Sequence, residues 1–335
     1  MHIRNLFYNS SKYFSTKLLT ALTSRKIVLP FYHTISDETL PHVSHLYKVR
    51  STKQFIADLE YLCKYYTPVD LDSLHDIIDN NRTVSQPIFH ISFDDGLKEI
   101  YSNIAPILNR KGIPASVFLN TDFIDNKGLF FRYKVSLIIH QIHQKKIPPE
   151  KFNNLISNRE GTLNSFKSKL MALTIDDSDI INGIAKAIDL DFKKYLKDFE
   201  PYLNRQQIKE LSETGFKFGS HSLNHPFFKL LPIEEQKKQV VDSFDFIAKE
   251  LNIRDRYFSF PFSDENIEAD FFKWLYSSDC RLSFGISGMK SDSFNNHLHR
   301  IPFDGINHTA KEIINSEYLY YIIKFFFNKN QIRRY

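Results

Sequence analysis

The chain has 335 residues, 42% of them hydrophobic, with 31 Phe and 17 Tyr, which is enough for a substantial core and too apolar for a disordered segment. Its 44 basic and 39 acidic residues leave a net charge of +5, and no dense Lys/Arg block precedes the tail, so nucleic acid is not an expected partner. Two cysteines, Cys63 and Cys280, cannot form a disulfide framework and point to a reducing compartment.

Residues 1–26 carry basic groups but no continuous apolar core of signal-peptide type. Phe7, Tyr8, Phe14, Leu18, Leu19 and Leu22 alternate with polar residues as in an amphipathic helix. No run reaches the roughly 18 apolar residues of a membrane span, and the expected location is cytoplasmic. Ile27 to His33 reads as a first strand ending in the pair Tyr32-His33. Ser51 to Tyr66 sets Phe55, Leu59 and Leu62 at helical spacing. Pro87 to Gly96 then reads as a buried strand delivering two adjacent carboxylates, Asp94 and Asp95. Side chains alternate along a strand, so both face one pocket only if the strand breaks there, which Gly96 permits. Two like charges this close call for a cation or a shared proton, although a turn or a helix N-cap is the plainer use of such a pair. A helix over Ile100–Arg110 and a strand over Pro114–Asn120 follow, and strand, helix, strand implies a parallel sheet.

Residues 127 to about 200 are helix-prone and polar on average, and read as a helical insertion beside the main domain. It opens on the cluster Phe130-Phe131-Arg132-Tyr133-Lys134, suited to packing or to stacking on a sugar. A helix over Asn204–Glu213 and a strand over Phe216–His221 come next. His221-Ser222-Leu223-Asn224-His225 sets two imidazoles four residues apart, a spacing that can serve one metal ion. Pro232–Leu251 is an amphipathic helix, Tyr257–Phe262 a strand and Phe271–Ser277 a helix, with closing strands at Leu282–Ile286 and Leu298–Phe303. The segment 311–335 is strongly apolar from Tyr318 to Phe327 and then basic at Lys329, Arg333 and Arg334. It reads either as a helix packed on the domain or as one lying on a membrane surface.

Ser92-Phe93-Asp94-Asp95-Gly96 and His221-Ser222-Leu223-Asn224-His225, in this order, resemble the first two motifs of the polysaccharide deacetylases, the NodB-type carbohydrate esterases of family 4. Matching pieces run from about Leu29 to Asp304. The resemblance implies an α/β fold, an irregular (β/α)7 barrel over residues 27–310 with the helical insertion, helical extensions at 1–26 and 311–335, and a site at the C-terminal strand ends. It implies a divalent metal ion held by Asp95, His221 and His225, with Asp94 outside the metal as general base. Three ligands leave an open position, as catalytic sites do. The donor set suits zinc first, and cobalt, nickel or iron also.

The resemblance also places His33 at the mouth of the site as a substrate contact. The third motif is represented by Ser259-Phe260-Pro261-Phe262, where Ser259 stands in place of the usual Arg that orients the base. Pro261 is then expected at the substrate, and the Phe262 backbone N–H matches the oxyanion donor. The fifth motif is not cleanly present. His299 in Leu298-His299-Arg300 is the candidate general acid, and Arg300 a candidate for binding a substrate carboxylate or phosphate. The expected activity is metal-dependent removal of N-acetyl groups from amino-sugar units of a polysaccharide or glycolipid precursor. The same site could serve an O-acetyl ester or a non-sugar amide, and the motif departures also fit an inactive carbohydrate-binding member. The expected partners are an N-acetylated sugar and, through the terminal helices, a membrane surface.

Overall fold

The computed structural model describes residues 2–152 and 166–335. At its centre lies a ring of short parallel strands: β1 (Pro30–Tyr32), β2 (Ile91–Phe93), β3 (Ala115–Leu119), β4 (Lys217–Ser220), β5 (Tyr257–Ser259), β6 (Leu282–Gly285), β7 (His297–His299) and β8 (Ile301–Pro302). Neighbours run β7-β6-β5-β4-β3-β2-β1-β8. β7 and β8 are one strand interrupted at Arg300, the first half pairing with β6 and the second with β1. The last strand thereby closes the sheet on itself, and the result is the irregular seven-stranded barrel that was expected. Every residue of β3 is buried, as parallel strands covered on both faces require. At Gly219 in β4 an added Cβ would lie 2.6 Å from the Tyr257 carbonyl oxygen, so the approach of β4 to β5 depends on glycine.

The flanking helices are delimited by local signals. Ser51 with Gln54 forms a capping box for the helix Thr52–Tyr65, and Asn204 with Gln207 for Arg205–Glu213. Two expected strands differ from expectation, because the runs from Ile27 and from Pro87 each break, at Leu29 and at His90. Their first halves, Ile27–Val28 and Ile88–Phe89, join Thr67–Pro68 in a separate three-stranded sheet. His90 explains its own break: its ring nitrogens bond the Val69 carbonyl oxygen and the Ser116 hydroxyl, both at 2.8 Å. A buried polar side chain is thus satisfied where the strand changes sheet.

The insertion forms helices at Phe131–Lys145, Phe166–Met171, Ser178–Ala187 and Phe192–Phe199; its stretch 153–165 lies outside the described residues. These helices share an apolar cluster that includes Ile138, Ile142, Leu170, Ile181 and Ile184. The C-terminal helix Ala310–Phe326, opened by a Thr309/Glu312 capping box, packs on the helices His2–Ser11 and Thr16–Thr23. A buried polar seam ties them together. Thr16 Oγ1 donates to Asn315 Oδ1 (3.0 Å), Asn315 Nδ2 donates to the carbonyls of Ser11 (3.2 Å) and Phe14 (3.0 Å), and Thr20 Oγ1 donates to the Tyr318 hydroxyl (3.1 Å). Tyr318 is wholly buried, whereas Phe325, Phe326 and Phe327 are 59%, 76% and 69% exposed, so only the end of this helix turns aromatic groups to solvent. Among the described residues no helix is long and apolar enough to cross a membrane.

Candidate active site

The chain leaves β2 through Asp94 and then turns sharply. Asp95 and Gly96 have φ of 69° and 64°, so the strand breaks in left-handed backbone and both carboxylates enter one cavity. This conformation is costly for a non-glycine residue and tends to collect at functional sites. His225 (φ 59°) and Phe262 (φ 57°), which line the same cavity, share it. β4 delivers His221, whose Nδ1–H donates to the Ser259 carbonyl at 2.8 Å and so leaves Nε2 as the acceptor nitrogen. Asp95 Oδ1 lies 3.6 Å from His221 Nε2 and 3.5 Å from His225 Nε2. Burial lowers the pKa of both imidazoles, that of His225 to about 3, which makes them neutral donors.

Asp95 Oδ1 is itself buried and has no hydrogen-bond partner among the described residues. An orphaned carboxylate oxygen facing two neutral imidazole nitrogens is costly as it stands. A divalent cation resolves that cost, and the three residues fit one. The other oxygen, Asp95 Oδ2, accepts a hydrogen bond of 2.6 Å from the Tyr133 hydroxyl, so the helical insertion reaches in to orient this carboxylate.

Asp94 is held differently. The Arg300 guanidinium donates from Nη1 to Asp94 Oδ1 (2.8 Å) and Ser92 Oγ (3.0 Å), and from Nη2 to Asp94 Oδ2 (2.7 Å) and Ser259 Oγ (2.6 Å). Burial alone would raise the Asp94 carboxyl, but the two-pronged bond from Arg300 outweighs it and keeps the pKa well below the usual range. Arg300 is 1% exposed and does not line the cavity, which corrects its expected role as a substrate contact. Its place at the junction of β7 and β8 puts the side chain inside the barrel, at the base. Arg300 therefore supplies from the last strand the support that Ser259 cannot provide from the third motif, and the Ser259 hydroxyl joins the same network.

His33 follows β1 and lines the cavity. Its backbone N–H and its Nδ1 both bond Asp304 Oδ2, at 2.5 and 2.9 Å, and its ring stacks on Tyr47 with centroids 5.0 Å apart. Burial pulls the imidazole pKa down, yet the bond to Asp304 and the charges of Asp95, Asp304 and Asp94 raise it to about 9. His33 thus holds its proton, with Nδ1 committed to Asp304. The Phe262 N–H has no acceptor among the described residues, and Phe262 lines the cavity. Pro261 is buried and does not line the cavity, while Phe260 and Phe262 on either side of it do.

His299, the expected general acid, is not brought to this cavity. On alternating strand faces His297 and His299 share one side and Arg300 takes the other, so an inward Arg300 turns His299 away. His299 Nε2 lies 3.3 Å from Asp292 Oδ2, and His297 Nε2 lies 3.2 Å from Asp264 Oδ2. Arg334, from the C-terminal tail, joins both carboxylates, with Nη2 2.8 Å from Asp292 Oδ2. Those four acidic and imidazole groups could geometrically hold a metal, but Arg334 already supplies the cation. Arg334→Ala should leave two buried carboxylates without it and cost about 3–5 kcal/mol, read as a lower midpoint of urea or thermal unfolding. An unchanged midpoint would show that the histidines balance the pair alone.

Asp304 and Tyr133 were not found from the sequence. Asp304 lies 271 residues from its partner His33, and no local pattern joins them. Tyr133 stood within a cluster already marked for its aromatic and basic character, but its hydroxyl acquires a role only through Asp95.

The family model described as polysaccharide deacetylase matches residues 81–271, more than half of the chain. Poly-beta-1,6-N-acetyl-D-glucosamine N-deacetylases of Staphylococcus aureus strains MSSA476 and N315 are 31% identical over 147 residues, covering 38% of this chain and 46% of theirs. The chain thus matches about half the length of these curated relatives. Among solved structures, the Streptococcus pyogenes deacetylase PplD in complex with acetate superposes with a TM-score of 0.57 at 14% identity, covering 87% of this chain and 98% of that one. IcaB from Ammonifex degensii gives 0.56 at 14% identity, covering 88% and 97%. At such identity these two likenesses concern the fold alone, and that fold is the barrel described above. With the motif residues converging on one cavity and the family model spanning both motifs, the chain belongs to the polysaccharide deacetylase family.

Proposed function

We propose that this protein is a metal-dependent hydrolase that removes N-acetyl groups from amino-sugar units of a polysaccharide or glycolipid precursor. The observation that carries the proposal is the orphaned Asp95 Oδ1 between two neutral imidazoles, next to an Asp94 held ionised by Arg300. The Staphylococcus aureus relatives are named as N-deacetylases of a poly-N-acetylglucosamine, which supports N-deacetylation of a glucosamine polymer.

Asp95, His221 and His225 would hold the ion. When bound, a divalent cation there supplies electrophilic polarisation of the amide and a more acidic water. Asp94, outside that ligand set, takes a proton from the attacking water. The Phe262 N–H donates to the acetyl oxygen as charge builds on it. His33 then gives its proton to the sugar nitrogen as the C–N bond breaks, and acetate and the free amine leave. Acid and base are kept in opposite states by different partners, Asp304 for His33 and Arg300 for Asp94, which is how one site runs both steps at neutral pH.

Elemental analysis of protein purified without chelator should find about one divalent ion per chain, and acetate should be released from N-acetylglucosamine oligomers. His225→Ala should lose both the ion and the activity, because two ligands make an incomplete site. Tyr133→Phe should keep the fold but weaken metal affinity about 10–100-fold. Protein that binds neither zinc nor cobalt when these are added would refute the proposal. Faster acetate release from an O-acetylated sugar would make the enzyme an esterase. Metal binding with no acetate from either substrate would favour a carbohydrate-binding role.

A further inference from the structure

The catalytic cavity contains a cation that deacetylation as derived above does not use. Arg132, the second residue of the helix Phe131–Lys145, lines the cavity together with His225 and Phe262. Its guanidinium lies over the rings of Phe131, Phe227 and Phe262, at 5.2, 5.3 and 5.8 Å from their centroids, and Nη1 donates to the Met171 carbonyl. Phe262 in turn meets the His225 ring edge-on at 4.4 Å. The charge therefore stands one aromatic ring away from a residue of the metal-binding set. Three rings and a carbonyl hold it in place, and among the described residues no carboxylate pairs with it.

A half-buried guanidinium is ordinarily matched by an acid or turned out to water, because an unpaired charge in apolar surroundings is unfavourable. Here the surroundings are aromatic and the open side faces the cavity. The first turn of the helix points the same way, since it carries no acidic residue and no side-chain cap. Arg300 is closed beneath Asp94 and the protonated His33 is paired with Asp304, so the cavity-lining cation left without a carboxylate partner among the described residues is Arg132. The cavity is small, about 390 Å³, and keeps substituents of a bound sugar close to its walls.

We infer that the natural substrate carries an anionic group, a phosphate or a carboxylate, on or next to the N-acetylated sugar, and that Arg132 receives it. The inference rests on the deacetylase reading above and narrows its substrate class. Guanidinium binds either oxyanion through paired N–H donors, so the two sources are separated by experiment.

The test compares acetate release from methyl N-acetylglucosaminide, N-acetylglucosamine 1-phosphate and N-acetylmuramic acid by the full-length, metal-loaded protein. At least one acidic substrate should exceed the neutral one by tenfold or more in kcat/KM, mostly through KM, and 0.5 M salt should shrink the difference. Which acidic substrate gains identifies the phosphate or the carboxylate. Arg132→Gln should bring the acidic-to-neutral ratio close to one, Arg132→Lys should retain part of it, and Lys134→Gln, outside the cavity, should leave it unchanged. Equal kcat/KM for all three substrates in the unaltered protein would overturn the inference, as would a ratio that survives in Arg132→Gln. Should no substrate be hydrolysed, the deacetylase reading fails separately, and calorimetric binding of glucosamine 1-phosphate and muramic acid decides the anion question. Arg132-dependent binding of either ligand upholds the anion site; absence of binding, or binding indifferent to Arg132→Gln, overturns it.

Discussion

Arg300→Gln should cost at least a hundredfold in turnover while the metal stays bound. The substitution removes both prongs of the hold on Asp94 and the bonds to Ser92 and Ser259 in one step. A base displaced by about 1 Å can already lose on the order of a hundredfold, and an unpaired buried carboxylate tends to take up a proton, which ends its service as a base. The fold should suffer too, because breaking a buried pair at 1% exposure costs about 3–5 kcal/mol. Arg300→Lys keeps the charge without the planar fork and should fall between the two. The decisive pattern is a drop in kcat with unchanged metal content and little change in KM, measured on the fraction that melts cooperatively. A folded Arg300→Gln protein within threefold of the unaltered turnover would show that Asp94 needs no arginine.

Replacing His33 by Gln should lower turnover by about 10²–10⁴, the usual range for a lost acid or base. Metal content should again be unaffected, because His33 is not among the ligands. The pH dependence separates proton donation from simple contact with the substrate. His33 must be protonated to act, and its pKa is raised to about 9, so activity should persist through neutral pH and fall as pH rises past the imidazole pKa. Asp304→Asn removes a negative partner that favours the protonated form, so it should move this alkaline limb to lower pH. In His33→Gln the limb assigned to the imidazole should disappear. An identical limb in both variants would assign it to another group and return His33 to the role of a substrate contact.

The elements legible from the sequence were those written in contiguous residues. Asp94-Asp95-Gly96 and the His221/His225 spacing each declare their chemistry within five residues, and the left-handed backbone at Asp95 is the strand break that two carboxylates in one pocket require. The parallel sheet followed from the alternation of apolar runs and helices. What misled was the last strand. Its alternation made His299 and Arg300 both available on paper, and the choice of which faces inward depends on how that strand crosses from β6 to β1. Pro261 was misplaced for a similar reason, since a left-handed turn at the next residue exposes Phe262 to the cavity and leaves proline buried.

From the sequence alone follow the two motifs, Asp94-Asp95-Gly96 and His221 to His225, and through the family they resemble the barrel and the expectation that these residues share one site. Only the tertiary structure decided how His33, Asp94 and Asp95 are held. Arg300 reaches Asp94 across 206 residues, Asp304 reaches His33 across 271, and Tyr133 reaches Asp95 from an inserted helix. Local motifs persist because backbone geometry relates neighbours a few residues apart in the same way in any chain. Barrel closure instead brings residues at the two ends of the chain to one point, and nothing in either end alone records which side chain will meet which carboxylate.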